Sequence, residues 1–103
     1  MQQKVLLVEK KDGVATLTLN RPGQMNALSL ELRWELQAAL EEIGADPEVG
    51  VVVLTGAGEA FCSGLDLKEM GSPVKERGAV QPKDPPSLLR EVNKPIIGAI
   101  NGA

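Results

Sequence analysis

Two runs of β-forming residues stand near the amino end of the chain, Lys4 to Glu9 and Val14 to Leu19, separated by Lys10-Lys11-Asp12-Gly13. Asp-Gly tolerates the left-handed backbone of a two-residue hairpin turn, so the pattern predicts a β-hairpin. In the second run Ala15, Leu17 and Leu19 share one face and Thr16 and Thr18 the other, which turns one side of that strand towards a core. Asn20-Arg21-Pro22-Gly23 breaks the strand. Ser29 is then placed as the N-cap of a helix from Leu30 to Ile43, with Glu31 in the first turn complementing the positive helix end. Leu32, Leu36, Ala39, Leu40 and Ile43 form its apolar stripe. Gly44 reads as the C-terminal stop, and Asp46-Pro47 bars continuation. Trp34 lies off the stripe, so it either covers a second surface, such as a subunit contact, or is a partly exposed aromatic.

Val49 to Leu54 is apolar almost without alternation, and Lys94 to Ile100 is similar. Runs of this kind fit strands covered on both faces, as in a parallel sheet. Leu88, Leu89 and Val92 suggest a short helix before the last strand. Ahead of them, Gly71 to Pro86 is rich in Gly, Pro and charge and reads as a mobile surface loop. Strand, helix, strand, short helix and strand in succession make an α/β pattern.

Composition narrows the function classes. A chain of 103 residues is one small domain or part of a larger one. Its net charge of −3, with both signs interspersed, leaves no basic stripe for a nucleic-acid backbone. With no histidine, a Ser-His-Asp or Cys-His mechanism within this chain is excluded, and the single Cys62 forms no internal disulfide. No Cys/His cluster offers a zinc site. No apolar run is long enough for a signal peptide or a membrane span, so a cytoplasmic location is the default expectation and a membrane is not an expected partner.

The chemistry concentrates in Thr55-Gly-Ala-Gly-Glu-Ala-Phe-Cys-Ser-Gly-Leu-Asp-Leu-Lys-Glu-Met70, which follows a buried-type strand and reads as the opening of a short helix. Glycine lets the chain turn where a Cβ would clash. The first N–H groups of a helix lack carbonyl partners and sit at its positive end, so an oxyanion can be held there, with the Leu65 N–H as the candidate donor. By spacing alone, Gly56, Gly58 and Gly64 read better as plain turn glycines. A dinucleotide fingerprint does not fit, because Phe61 stands where a third glycine is needed, and there is no Gly-Lys-Ser/Thr for a phosphate-binding loop.

Three segments in this order and spacing resemble the enoyl-CoA hydratase/isomerase (crotonase) family: Leu19-Asn-Arg-Pro-Gly-Gln-Met-Asn-Ala-Leu-Ser29, Gly58-Glu-Ala-Phe-Cys-Ser-Gly-Leu-Asp-Leu-Lys68 and Lys94-Pro-Ile-Ile-Gly-Ala-Ile-Asn-Gly-Ala103. The resemblance implies the amino-terminal part of a crotonase-like (ClpP-like) spiral of ββα units, in which two backbone N–H groups polarise an acyl-CoA thioester carbonyl. It puts Leu65 N–H first of the two, with acyl-CoA or enoyl-CoA contacts along Ser63, Gly64, Leu65, Asp66, Leu67 and Lys68 and through backbone near Asn26 and Ala27. The CoA thioester is then the substrate, no separate cofactor is implied, and relatives assemble as trimers or dimers of trimers. Such an N–H donor is worth roughly 3–4 kcal/mol to an enolate or tetrahedral oxyanion. Asp66 reads better as a partner for the first turn of a short helix than as a catalytic carboxylate. Lys68 is either a contact for CoA phosphate or adenine or a solvated charge. Cys62, without a histidine beside it, reads as a small buried residue and not a nucleophile.

The family pattern continues past Ala103 into a glycine-rich turn and helix that supply the second N–H and often a catalytic Glu or Asp. The competing expectation is a catalytically inactive family member that binds CoA or packs against a subunit. On either reading, one donor without its partner or a general base leaves an enolate unstabilised. These 103 residues alone are therefore expected to turn over no crotonyl-CoA. Hydration above the buffer rate by the purified chain would contradict that.

Overall fold

The computed structural model describes residues 4–62, 83 and 85–102. Strand β1 (Leu6–Lys11) and strand β2 (Val14–Leu19) form the hairpin, antiparallel with Leu6 opposite Leu19 and Lys11 opposite Val14. Only Asp12 and Gly13 lie between them, at φ +53° and +81°. Two successive positive φ values match the right-handed strand twist, so the turn is tighter than expected and β1 starts and ends two residues later. Helix α1 (Leu30–Gly44) follows, its first turn closed by the Ser29 hydroxyl, which accepts the Leu32 N–H at 3.1 Å. Strand β3 (Val51–Gly56) returns parallel to β2, a short helix α2 (Pro85–Glu91) comes later, and β4 (Ile96–Ala99) lies parallel to β3. The sheet order is β1-β2-β3-β4, and β1-β2-α1 is one ββα unit.

One core joins these elements. Ala15, Leu17 and Leu19 of β2 and Val52 and Leu54 of β3 cluster with Leu32, Leu36, Leu40 and Ile43 of α1 and Leu88 of α2. Each predicted stripe residue of α1 is in or against that cluster. The expectation of strands covered on both faces is corrected: Val51, Val53 and Thr55 are half-buried, and Ile97 is exposed. Among the described residues the cover lies on the face where α1 and α2 pack, so β3 alternates like a one-sided strand. Trp34 is partly exposed at 37 %. No helix among the described residues is long and apolar enough to cross a membrane.

The end of α1 differs from the expected glycine stop. Gly44 is the last helical residue, and the cap is Ala45 at φ −93°, so no left-handed glycine closes the helix. Lys94 does this instead: its ammonium donates to the carbonyl oxygens of Ile43, at 2.6 Å, and Asp46. The last carbonyls of a helix are unpaired and negative, which is the place for a cation. Nearby, Lys10 Nζ pairs with the Asp46 carboxylate at 3.1 Å, and that carboxylate also accepts the Glu48 N–H at 2.9 Å.

Two outcomes follow from this corner. Lys94→Met should lower the urea midpoint without changing the slope, at a cost of about 1.5–3 kcal/mol for hydrogen bonds from a charged donor. The Asp46 carboxyl is held below its ordinary value of 3.8, first by the Glu48 N–H and then by Lys10. A depressed folded pKa gives stability that is present above the unfolded value and lost as pH falls through the folded one. Asp46→Asn should therefore reduce the thermal midpoint at pH 6, and the reduction should shrink as the pH is lowered through the acid range.

Candidate functional site

Because β2, β3 and β4 are parallel, with Leu19 opposite Gly56 and Thr55 opposite Ala99, their carboxyl ends finish at one edge of the sheet. Ligands of open α/β sheets bind outside that edge, where loops leave the strands. Here three segments converge: residues 20–29, 57–62 and 100–102. The Ala57 N–H donates to Leu19 O at 2.8 Å, and Thr55 Oγ1 donates to Ala99 O at 2.8 Å, which ties β3 to both neighbours at its end.

Asn26 occupies the centre of this edge. It is fully buried, at φ +56°, in the left-handed region that Asn tolerates better than most residues. Its amide nitrogen donates to Ala57 O at 2.9 Å and Ala60 O at 2.7 Å, while its side-chain oxygen accepts the Arg21 N–H at 2.7 Å. The Asn26 N–H returns to Arg21 O at 2.8 Å. One buried polar side chain thus joins the segment after β2 to the segment after β3, with both of its donors engaged. Gly56 makes room for it: a Cβ there would lie 2.5 Å from Ala60 O and 2.8 Å from Asn26 Nδ2, and against Phe61 O.

On the other side, Asn101 Nδ2 donates to Gly58 O at 2.9 Å. Gly102 passes so close to residues 59 and 60 that a Cβ would sit on the Glu59 carbonyl. Arg21 Nη1 donates to Ala27 O at 2.6 Å, and the Ser29 N–H reaches the same oxygen at 3.0 Å.

Of the residues proposed from sequence, Asn26 and Ala27 lie at this edge, with the N–H of each and the Ala27 carbonyl already committed to bonds inside the chain. Ser63, Gly64, Leu65, Asp66, Leu67 and Lys68 lie outside the described residues, as does most of Gly71 to Pro86. The structure places the stem that leads to the motif, Gly56 to Cys62. Cys62 is half-buried against the core and is not part of a disulfide. The sequence reading missed the side-chain role of Asn26, and Asn101 altogether. An Asn two residues after Pro22-Gly23-Gln24, where a short 3-10 turn reverses the chain, is the available signal for Asn26.

A profile of the enoyl-CoA hydratase/isomerase family matches residues 9–103. The chain belongs to that family. This enoyl-CoA hydratase/isomerase member is 37% identical over 103 residues to a probable peroxisomal enoyl-CoA hydratase of Arabidopsis thaliana, covering 99% of this chain and 39% of that one. It is 41% identical over 111 residues to the hydroxycinnamoyl-CoA hydratase-lyase of Pseudomonas fluorescens, covering 96% and 39%. Among solved structures, an enoyl-CoA hydratase from Mycobacterium tuberculosis H37Rv superposes with a TM-score of 0.76 at 44% identity, covering 96% of this chain and 40% of that one. Another, from Mycobacterium marinum, gives a TM-score of 0.84 at 36% identity, with 96% and 49% covered. The fold is therefore the crotonase fold, and the chain spans about two fifths of the length of its relatives, their amino-terminal part.

A groove of about 310 Å³ between α1 and α2, lined by Leu40, Gly44, Leu88 and Val92 with Glu41 and Glu91, is a poorer candidate. Its two carboxylates repel an anionic ligand, and it is not at the carboxyl edge of the strands. Among the described residues no group of three or more Cys, Asp or Glu could hold a metal ion.

The packing at Gly56 yields a stability expectation. Gly56→Ala pushes a methyl group into two backbone carbonyls, which cannot swing aside as a side-chain end can, so it should cost about 1–3 kcal/mol. Chemical denaturation checks this, with Gly23→Ala, where no atom lies within 4 Å of the added Cβ, as the neutral comparison.

Proposed function

We propose that this chain forms the acyl-CoA-binding part of an enoyl-CoA hydratase/isomerase-type enzyme, in which the Leu65 N–H polarises the thioester carbonyl and stabilises the enolate formed from it. The observation that supports the reading best is the held stem at the carboxyl edge of the parallel strands, where Asn26 fixes the backbone from Ala57 to Ala60 immediately before the motif. A backbone donor stabilises a developing charge only if its direction is set beforehand, and a stem with its carbonyls bonded sets it at no cost during the reaction. Family membership over residues 9–103 makes an acyl-CoA thioester the substrate class to test. Contacts to CoA through Ser63, Gly64, Asp66, Leu67 and Lys68 and through backbone at Asn26 and Ala27 belong to the same reading, as does self-association of subunits.

Binding and turnover are separable. Calorimetric titration of the chain with crotonyl-CoA tests the first, and saturable heat is the expected result. Turnover is tested in a protein that carries this chain together with the segment completing the family pattern. There Leu65→Pro removes the N–H, and the expected loss in kcat is about 10²-fold or more with a much smaller change in crotonyl-CoA affinity. Equal losses in both would reduce Leu65 to a packing role. Binding without any turnover in the completed wild-type protein would leave a CoA-binding module in place of an enzyme.

A further inference from the structure

We infer that Asn101, acting with Asn26 from the opposite side, is a positioning residue for the acyl-CoA site: the two side-chain amides clamp the carbonyls of the turn after β3. The inference rests on the acyl-CoA reading above. Asn26 takes the oxygens of Ala57 and Ala60, and Asn101 takes that of Gly58. Three carbonyls within four residues are thus held by donors from the segments that follow β2 and β4, the two strands flanking β3.

The chain is shaped to allow this. Gly102 brings the backbone beside Asn101 against Glu59 and Ala60 at a distance no side chain permits, and Gly58 has φ +81°, with Pro22 Cβ 3.0 Å from where a Cβ would stand. Only glycine at both positions lets three segments approach so closely. The clamp also has an electrostatic effect. Carbonyl oxygens left free at this edge would repel an oxyanion or a phosphate, and amide donors bonded to them reduce that repulsion.

The two asparagines differ in one way that makes the inference testable. Asn26 is fully buried and its loss leaves buried carbonyls unpaired, whereas Asn101 is exposed and lies beyond the last strand. Loss of Asn101 should therefore act on the turn and leave global stability alone. The test uses the 103-residue chain, calorimetric titration with crotonyl-CoA, thermal unfolding, and amide hydrogen exchange at Ala57 to Cys62. Asn101→Ala is expected to weaken crotonyl-CoA binding about tenfold, the equivalent of one lost hydrogen bond. It should speed exchange at Ala57 to Cys62 and shift the midpoint by less than about 2 °C. Asn101→Leu, which keeps the bulk without the donor, should behave the same way, while Asn26→Ala should lower affinity and midpoint together.

Wild-type affinity in both Asn101 variants would overturn the inference, as would an affinity loss matched by a comparable fall in midpoint. If the wild-type chain binds no crotonyl-CoA, the acyl-CoA reading fails by itself. Exchange then decides the clamp: faster rates confined to Ala57–Cys62 in Asn101→Ala sustain it, and unchanged rates overturn it.

Discussion

The arrangement at the carboxyl edge depends on the burial of one amide. Asn26 has no exposed surface, and a buried amide without partners costs on the order of 1–3 kcal/mol for each polar group left unmade. Its requirement can be met only if Arg21 stands on one side and the carbonyls of Ala57 and Ala60 on the other. The bonds therefore specify a geometry more than they add stability. A hydrophobic residue of similar size would fill the space and leave the turn after β3 with no fixed orientation, because dispersion contacts carry little direction.

What surrounds Asn26 reflects that constraint. Gly56 is the last residue of β3 and has no side chain because the amide and two carbonyls occupy the place of its Cβ. Arg21 bonds to Ala27 O and so closes the small loop whose chain reversal puts Asn26 at positive φ. Behind the edge, the Leu32, Leu36, Leu40 and Ile43 stripe of α1 packs on Leu17 and Val52 and anchors the strands from which these loops depart. The core supplies most of the stabilisation and the polar clasp supplies the direction, a division expected where a backbone group has chemistry to perform.

Local signals were readable and distant ones were not. The hairpin was legible because Asp12-Gly13 admits few turns, and α1 because a hydroxyl cap and a 3.6-residue stripe are both local. β3 starts two residues later than the apolar run suggests, since Val49 extends that run in sequence while the N–H groups of Val49 and Gly50 are bonded to Asp46 and to the Gly13 turn. The closing of α1 by Lys94 joins residues 51 apart, and the Asn101 bond joins residues 43 apart. Neither leaves a periodic trace, because a side chain that serves a distant carbonyl is chosen by tertiary position and not by its neighbours in sequence. For the site, family resemblance gave the motif, while the means of holding its stem emerged only from the fold.

The order of strands in the sheet has a consequence for how the chain is made. Since β1, β2, β3 and β4 lie side by side in the order in which they are synthesised, each new strand meets an edge that is already complete. The hairpin rests on contacts a few residues apart, which are the fastest kind to form, and the order gives β3 a paired strand to dock onto instead of another unpaired segment. Asn101, near the end of the described chain, bonds to a turn that has been in existence since β3 was laid down. Among the described elements this order suits vectorial assembly, since the side chain that fastens the edge belongs to a segment made after the strands it joins.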